Sequence, residues 1–167
     1  LNVAARQLLT LAAAVGRRFN FTLLQQLAGC DESDLLRLLK ELVTAQLVIE
    51  ETTEQFAFRH ALTRQAVYGG LLARERQALH RAIGETIERV YGEALDAHVA
   101  DLSYHFYEAG EWARVLDYAR RAGEKAQALY APRAVIEHFT RALAAAQRLQ
   151  QSPSRAPLLR ARGLAYE

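Results

Sequence analysis

The side chains of this 167-residue chain with the widest chemical reach are five histidines, one cysteine and a short arginine-flanked run around His60. His98 and His105 lie seven positions apart, the spacing of one helix face, but a metal site needs further ligands. No Asp, Glu or Cys set converges on that pair by spacing. His80 and His138 stand alone in helical contexts, so all four read as packing or surface histidines. Cys30 is the single cysteine, which excludes an intrachain disulfide and argues against a cysteine-based zinc site. It fits a reducing compartment and reads as a small apolar group near a turn. The sequence contains no glycine-rich phosphate loop, no Gly-x-Ser-x-Gly elbow and no credibly paired carboxylates, so the expected role is not that of an enzyme.

His60 differs from the other four. It closes a strand-like run and opens a helical one, in Phe58-Arg59-His60-Ala61-Leu62-Thr63-Arg64. The start of a helix offers free N–H groups and the positive end of the dipole, an arrangement that suits anions. Arg59 and Arg64 flank that start. The residues alone leave two readings open: an anion contact, or a histidine packed on the preceding hairpin. Arg17-Arg18 reads as a solvated connector, with a phosphate or acidic partner as the alternative.

The elements that must position these residues are mostly helical. Leu and Ala dominate a 51% hydrophobic composition, both are strong helix formers, and only three prolines interrupt the chain. Residues 3–15 carry a helical apolar pattern ending at Gly16; Arg17 to Asn20 is a connector; Phe21 to Ala28 is a short helix closed by Gly29. Asp31 or Ser33 can cap a third helix, in which the spacing of Leu35, Leu39 and Leu42 predicts a buried stripe. Asp34, Arg37 and Glu41 should face solvent. The period then changes to two short strands, Leu47–Glu51 and Gln55–Arg59, around a Thr52-Thr53-Glu54 turn. Three helices followed by a hairpin is the element order of a winged helix.

Beyond the hairpin, His60–Leu72 and Ala73–Tyr91 read as two helices, or one bent at Gly69-Gly70. Further helices are expected over Asp96–Ala109, Glu111–Tyr130, Pro132–Gln150 and from Ser154 onward, with Pro132 and Pro153 in first turns that tolerate proline. Short connectors make neighbours antiparallel. Small residues (Ala109, Ala119, Ala122, Ala126, Ala142) recur among Tyr104, Trp112, Tyr118, Tyr130 and Phe139, as in tetratricopeptide-like helix pairs. The expected fold class is therefore mainly α: a winged-helix-like unit over residues 1–92, then the start of an antiparallel TPR-like array over residues 93–167.

Charge narrows the partners. The net charge is +2 with no basic excess concentrated in either half. The third helix carries Asp31, Glu32, Asp34 and Glu41 against Arg37 and Lys40, and the hairpin adds Glu50, Glu51 and Glu54. Phosphate contacts supply most non-specific DNA affinity, so this pattern argues against direct nucleic-acid binding. No apolar run reaches the roughly 18 residues of a membrane span. A start at Leu1 rather than Met, and a helical pattern running to the last residues, are those expected of an excised piece of a larger protein.

Taken together, Val15-Gly16-Arg17-Arg18-Phe19, Leu35 to Leu47, Phe56 to Tyr68, Leu71-Leu72 and Arg76-Gln77-Ala78-Leu79-His80 resemble a bacterial pattern. It follows the ATPase module of large multidomain regulators, including LuxR-type transcription factors and ATPase-linked nucleotide cyclases. Tyr104 to Gly110, Ala122-Gly123-Glu124-Lys125-Ala126 and Tyr130-Ala131-Pro132-Arg133 resemble the helical repeats that follow it. These regulators are similar to the signal-transduction ATPases with numerous domains (the STAND class), in which a winged helix holds the nucleotide module inactive with ADP. Plant resistance and apoptosome relatives carry a Met-His-Asp motif whose histidine touches the ADP phosphate. The resemblance places His60 at that histidine, with Arg59 at the Met place and Ala61 at the Asp place.

What the resemblance implies is a cytoplasmic, non-catalytic coupling fragment that links nucleotide state to a helical-repeat sensor. His60, Arg59 and Arg64 would be its nucleotide-sensing residues in the parent protein. The fragment itself would hold no cofactor, while the parent would bind ATP or ADP. Its partners would be the upstream ATPase domain, the downstream repeats and an inducer or partner protein. The rival reading is a DNA-binding winged helix with a helical dimerisation tail.

Overall fold

The computed structural model describes residues 1–150 and 155–166. The protein is mainly helical, with a small antiparallel sheet of three strands among the described residues. It divides into two compact units, Leu1–Thr86 and Ile87–Glu167, and the division falls inside a single helix.

The first unit runs α1 (Val3–Val15), β1 (Arg18–Asn20), α2 (Phe21–Ala28), α3 (Glu32–Thr44), β2 (Val48–Glu50), β3 (Gln55–Phe58), α4 (Ala61–Gly69) and the first part of α5 (Ala73–Tyr91). Each of the first three helices begins at a side-chain cap, which satisfies a backbone N–H left without an intrahelical partner. Asn2 accepts from Ala5, Asn20 from Leu23 and Asp31 from Asp34. Bonds from the Asp34 N–H and the Ser33 hydroxyl hold the Asp31 carboxyl below its usual pKa. Gly29 ends α2 in the left-handed region, at φ 62°, where a Cβ would be strained.

Segment Arg17–Asn20 is not merely a connector. Arg18 to Asn20 forms an edge strand, Phe19 opposite Phe56 and Arg18 opposite Ala57, so β3 lies between β1 and β2. Three residues are too few to show a period, and the strand exists because β3 supplies its ladder. Arg18 is turned to the hairpin, its Nε 2.8 Å from Glu51 Oε2. The sheet lays Phe19, Phe56 and Phe58 on the helices, with Phe19 stacked on Phe56 at 6.1 Å and edge-on to Phe58 at 5.9 Å.

Leu8, Leu24, Leu35, Leu39 and Leu42 complete this core, each at most 2% exposed. Burial of that kind contributes about 1.5–3 kcal/mol per side chain. The α3 stripe thus lies where its spacing places it, widened by Leu38, while Asp34 and Arg37 are exposed. Glu41 is the exception on the polar side. It is half-buried, because Asn2 donates to it from both its backbone N and its Nδ2, each at 2.7 Å.

The second unit begins within α5. A 3₁₀ segment (Gly92–Ala97) follows, then α6 (Val99–Ala109), α7 (Trp112–Ala128), α8 (Pro132–Arg148) and α9 (Arg155–Gly163). The starts expected at Pro153 and Ser154 lie outside the described residues. Gly110, in the left-handed region at φ 76°, makes the turn that returns α7 along α6. Gly123 lets α7 and α8 meet closely, since a Cβ there would stand 2.8 Å from Phe139 Cζ. Phe106 stacks on Tyr118 at 5.8 Å, and the Tyr118 hydroxyl donates to Glu88 at 2.7 Å. Burial and that carboxylate push the Tyr118 pKa up to about 12. Tyr130, expected among the packing aromatics, is 93% exposed. It stands at φ 52° in the turn after α7, off the helical faces that pack.

Candidate functional site

The hairpin-to-helix junction is built by pairing on one side and helix geometry on the other. Strand β3 ends at Phe58, and the Arg59 N–H reaches back to Leu47 O at 3.0 Å, closing the hairpin. His60 keeps extended backbone angles and is the residue before α4; its carbonyl accepts from the Thr63 N–H at 3.1 Å. Its side chain makes no capping bond, and both His60 and Arg59 are exposed. The ring therefore stands at a helix start, open to solvent, where the sequence pattern places it.

Helix α4 is fastened lightly. None of its residues is fully buried, and Val67 and Tyr68 give it half-buried apolar contact with the core. Arg64 adds the polar anchor. Its Nε donates to Ala13 O at 2.9 Å, filling one of the carbonyls that the last turn of α1 leaves without a partner. A cation at that helix end also meets the negative end of the dipole. Of the three expected sensing residues, the structure thus sets His60 and Arg59 at the open junction and turns Arg64 to the end of α1.

Behind the junction stands a cluster that sequence spacing does not single out. Tyr68 Oη lies 2.8 Å from His80 Nε2, and the two rings meet edge-on at 5.8 Å. Arg64 and Arg76 both approach the Tyr68 ring. Burial, then the charges of Arg64 and Arg76, lower the His80 pKa to about 4, so the imidazole stays neutral at physiological pH. A signal was available: Arg64 with Tyr68, and Arg76 with His80, are two i, i+4 pairs.

The other histidines take structural places. His105 is buried in α6. His98 does not share its helix face: it precedes α6, stacked on Tyr91 at 3.9 Å, with Nδ1 3.7 Å from Asp101. His138 is 9% exposed and burial lowers its pKa. Cys30, half-buried, lines an apolar groove of about 620 Å³ between α1, α2 and α3, and burial raises its thiol pKa. Among the described residues no three His, Cys, Asp or Glu side chains are grouped to hold a metal ion. No helix among them is long and apolar enough to cross a membrane. No family model, curated protein or solved structure matches this chain.

Proposed function

We propose that this chain is a non-catalytic coupling fragment of a multidomain signal-transduction ATPase of the STAND type. In this reading it links the nucleotide state of an upstream ATPase domain to a downstream helical-repeat sensor. The observation that carries it is His60: a histidine whose side chain makes no capping bond, exposed at the start of a helix that is only lightly fastened to its unit. Such a ring can donate to a phosphate presented by another domain, and such a helix can shift when the contact is lost.

The order α1-β1-α2-α3-β2-β3 supports a winged-helix-like arrangement for the first unit. The succession of helices α6 to α9, with Gly123 packed on Phe139, supports a TPR-like second unit that would receive an inducer or partner protein. On this reading the protein works in the cytoplasm and the parent binds ATP or ADP. The exposed side of α3 argues against the DNA-binding rival. Glu32 and Asp34 stand open there, and Arg37 gives its charge to Asp34 at 3.0 Å.

The test is His60→Ala in the intact regulator. The side chain is exposed and uncapping, so the change in folding stability should stay within about 0.5 kcal/mol. One charge-assisted contact is worth about 1.5–3 kcal/mol, so ADP should be held about tenfold to hundredfold more weakly and basal output should rise. Unchanged ADP affinity and unchanged output would remove the basis of the proposal. Steeply salt-dependent DNA binding by the fragment would favour the rival.

A further inference from the structure

The cluster behind the junction holds two cations where one ring faces them. Arg64 Cζ is 5.5 Å and Arg76 Cζ 5.7 Å from the centroid of Tyr68. All three side chains are half-buried, hence reachable from solvent, while His80 beneath them is fully enclosed. Among the described residues neither arginine has a carboxylate within salt-bridge distance. The nearest acidic neighbour in sequence, Glu75, is turned to the Leu72 N–H at 2.6 Å. Elsewhere in the unit arginines meet acids, Arg18 with Glu51 and Arg37 with Asp34.

Each guanidinium lies near the same ring without a carboxylate partner, and the face of a ring compensates a cation only in part. Burial first, and then the charges of both arginines, lower the pKa of the neighbouring His80 imidazole. An anion that met both forks would supply the missing counter-charge. A carboxylate has two oxygens, and one guanidinium fork is enough to satisfy it. The Tyr68 hydroxyl is already paired with His80, so the two arginine forks are what an anion would meet, and two forks suit one of higher charge with more oxygens.

We infer that Arg64 and Arg76, gathered over Tyr68, form a receptor for a phosphate group. The Arg64 Nε–H is already committed to Ala13 O, which leaves its terminal N–H groups for the ligand and fixes their origin. Among the described residues Arg76 makes no side-chain hydrogen bond, and it supplies the second fork. The inference stands independently of the coupling reading, because it concerns groups on this chain alone.

Titration of this chain with inorganic phosphate and, separately, pyrophosphate tests it, at constant ionic strength and followed by NMR shifts. The open cluster should bind on the order of 1 mM, with the amides around Tyr68 and Arg76 moving most. Tighter binding of pyrophosphate would assign a polyphosphate ligand, and equal binding a monophosphate. Arg76→Gln should weaken binding about tenfold or more, with helical circular dichroism unchanged. Arg76→Lys, which keeps the charge and loses the fork, should fall between the two. An equal response to succinate, an unaffected Arg76→Gln, or shifts confined to Arg59 and His60 would each overturn the assignment.

Discussion

Replacing Gly123 by alanine sets two known effects against each other. In a helix interior glycine is about 0.8–1.0 kcal/mol worse than alanine, so propensity alone makes the substitution stabilising. The structure opposes this. The new Cβ would stand 2.8 Å from Phe139 Cζ and 2.9 Å from both Cε atoms. Comfortable carbon–carbon separations are about 3.5–4.0 Å, and Phe139, 2% exposed, sits in the packed interior of its unit. Overpacking of this kind costs about 1–3 kcal/mol, which leaves a net loss of about 1 kcal/mol. Urea unfolding followed by Trp112 fluorescence reads it, because the only tryptophan of the chain lies half-buried in this unit. The sign should reverse in a Phe139→Leu background, where the shorter side chain clears the Cβ and propensity wins. If Gly123→Ala stabilises the parent protein, or costs the same in both backgrounds, close α7–α8 packing is not what the glycine serves.

Leu39→Ala, at a position 2% exposed in the core of the first unit, should cost about 2–5 kcal/mol in the hydrogen-exchange protection of α3 amides; a loss below about 1 kcal/mol would contradict its placement in the core. His80 makes the first unit sensitive to acid. Its folded pKa, about 4, lies below the ordinary 6.5, so below pH 6.5 the unfolded chain binds a proton that the folded chain refuses. Stability is therefore full above pH 6.5 and declines as the pH falls toward 4, with a loss of about 2 kcal/mol at pH 5. His80→Gln should remove most of that decline when amide protection is compared at pH 5 and pH 8. The same decline in both proteins would show that other groups carry it.

The junction at His60 was legible because everything that makes it is local. A strand-like run stops, a helical one starts, and the histidine between them stays exposed. The fate of Arg64 was not legible. Its partner is a carbonyl 51 residues earlier, and sequence spacing says nothing about which helix end lies beneath a side chain. The Tyr68–His80 pair was half visible as i, i+4 spacings, but that α4 and α5 bring those spacings together is a property of the folded unit.

Helices, caps and stops follow from the sequence itself, since hydrogen bonds and dipoles act over three or four residues. Asn20 and Asp31 start their helices, Gly29 and Gly110 end theirs, and the leucine period in α3 selects its buried face. Tertiary structure alone decided what needed a distant partner. Strand β1 exists only because Phe56 stands opposite Phe19, Glu41 is drawn inward by Asn2, and His98 leaves its expected face to stack on Tyr91. Composition places Tyr130 among the packing aromatics, yet the turn after α7 puts it in water while Phe139 fills the space that Gly123 leaves. Composition can say that small residues and rings will meet, but the choice of which ring meets which glycine belongs to the packing of whole helices.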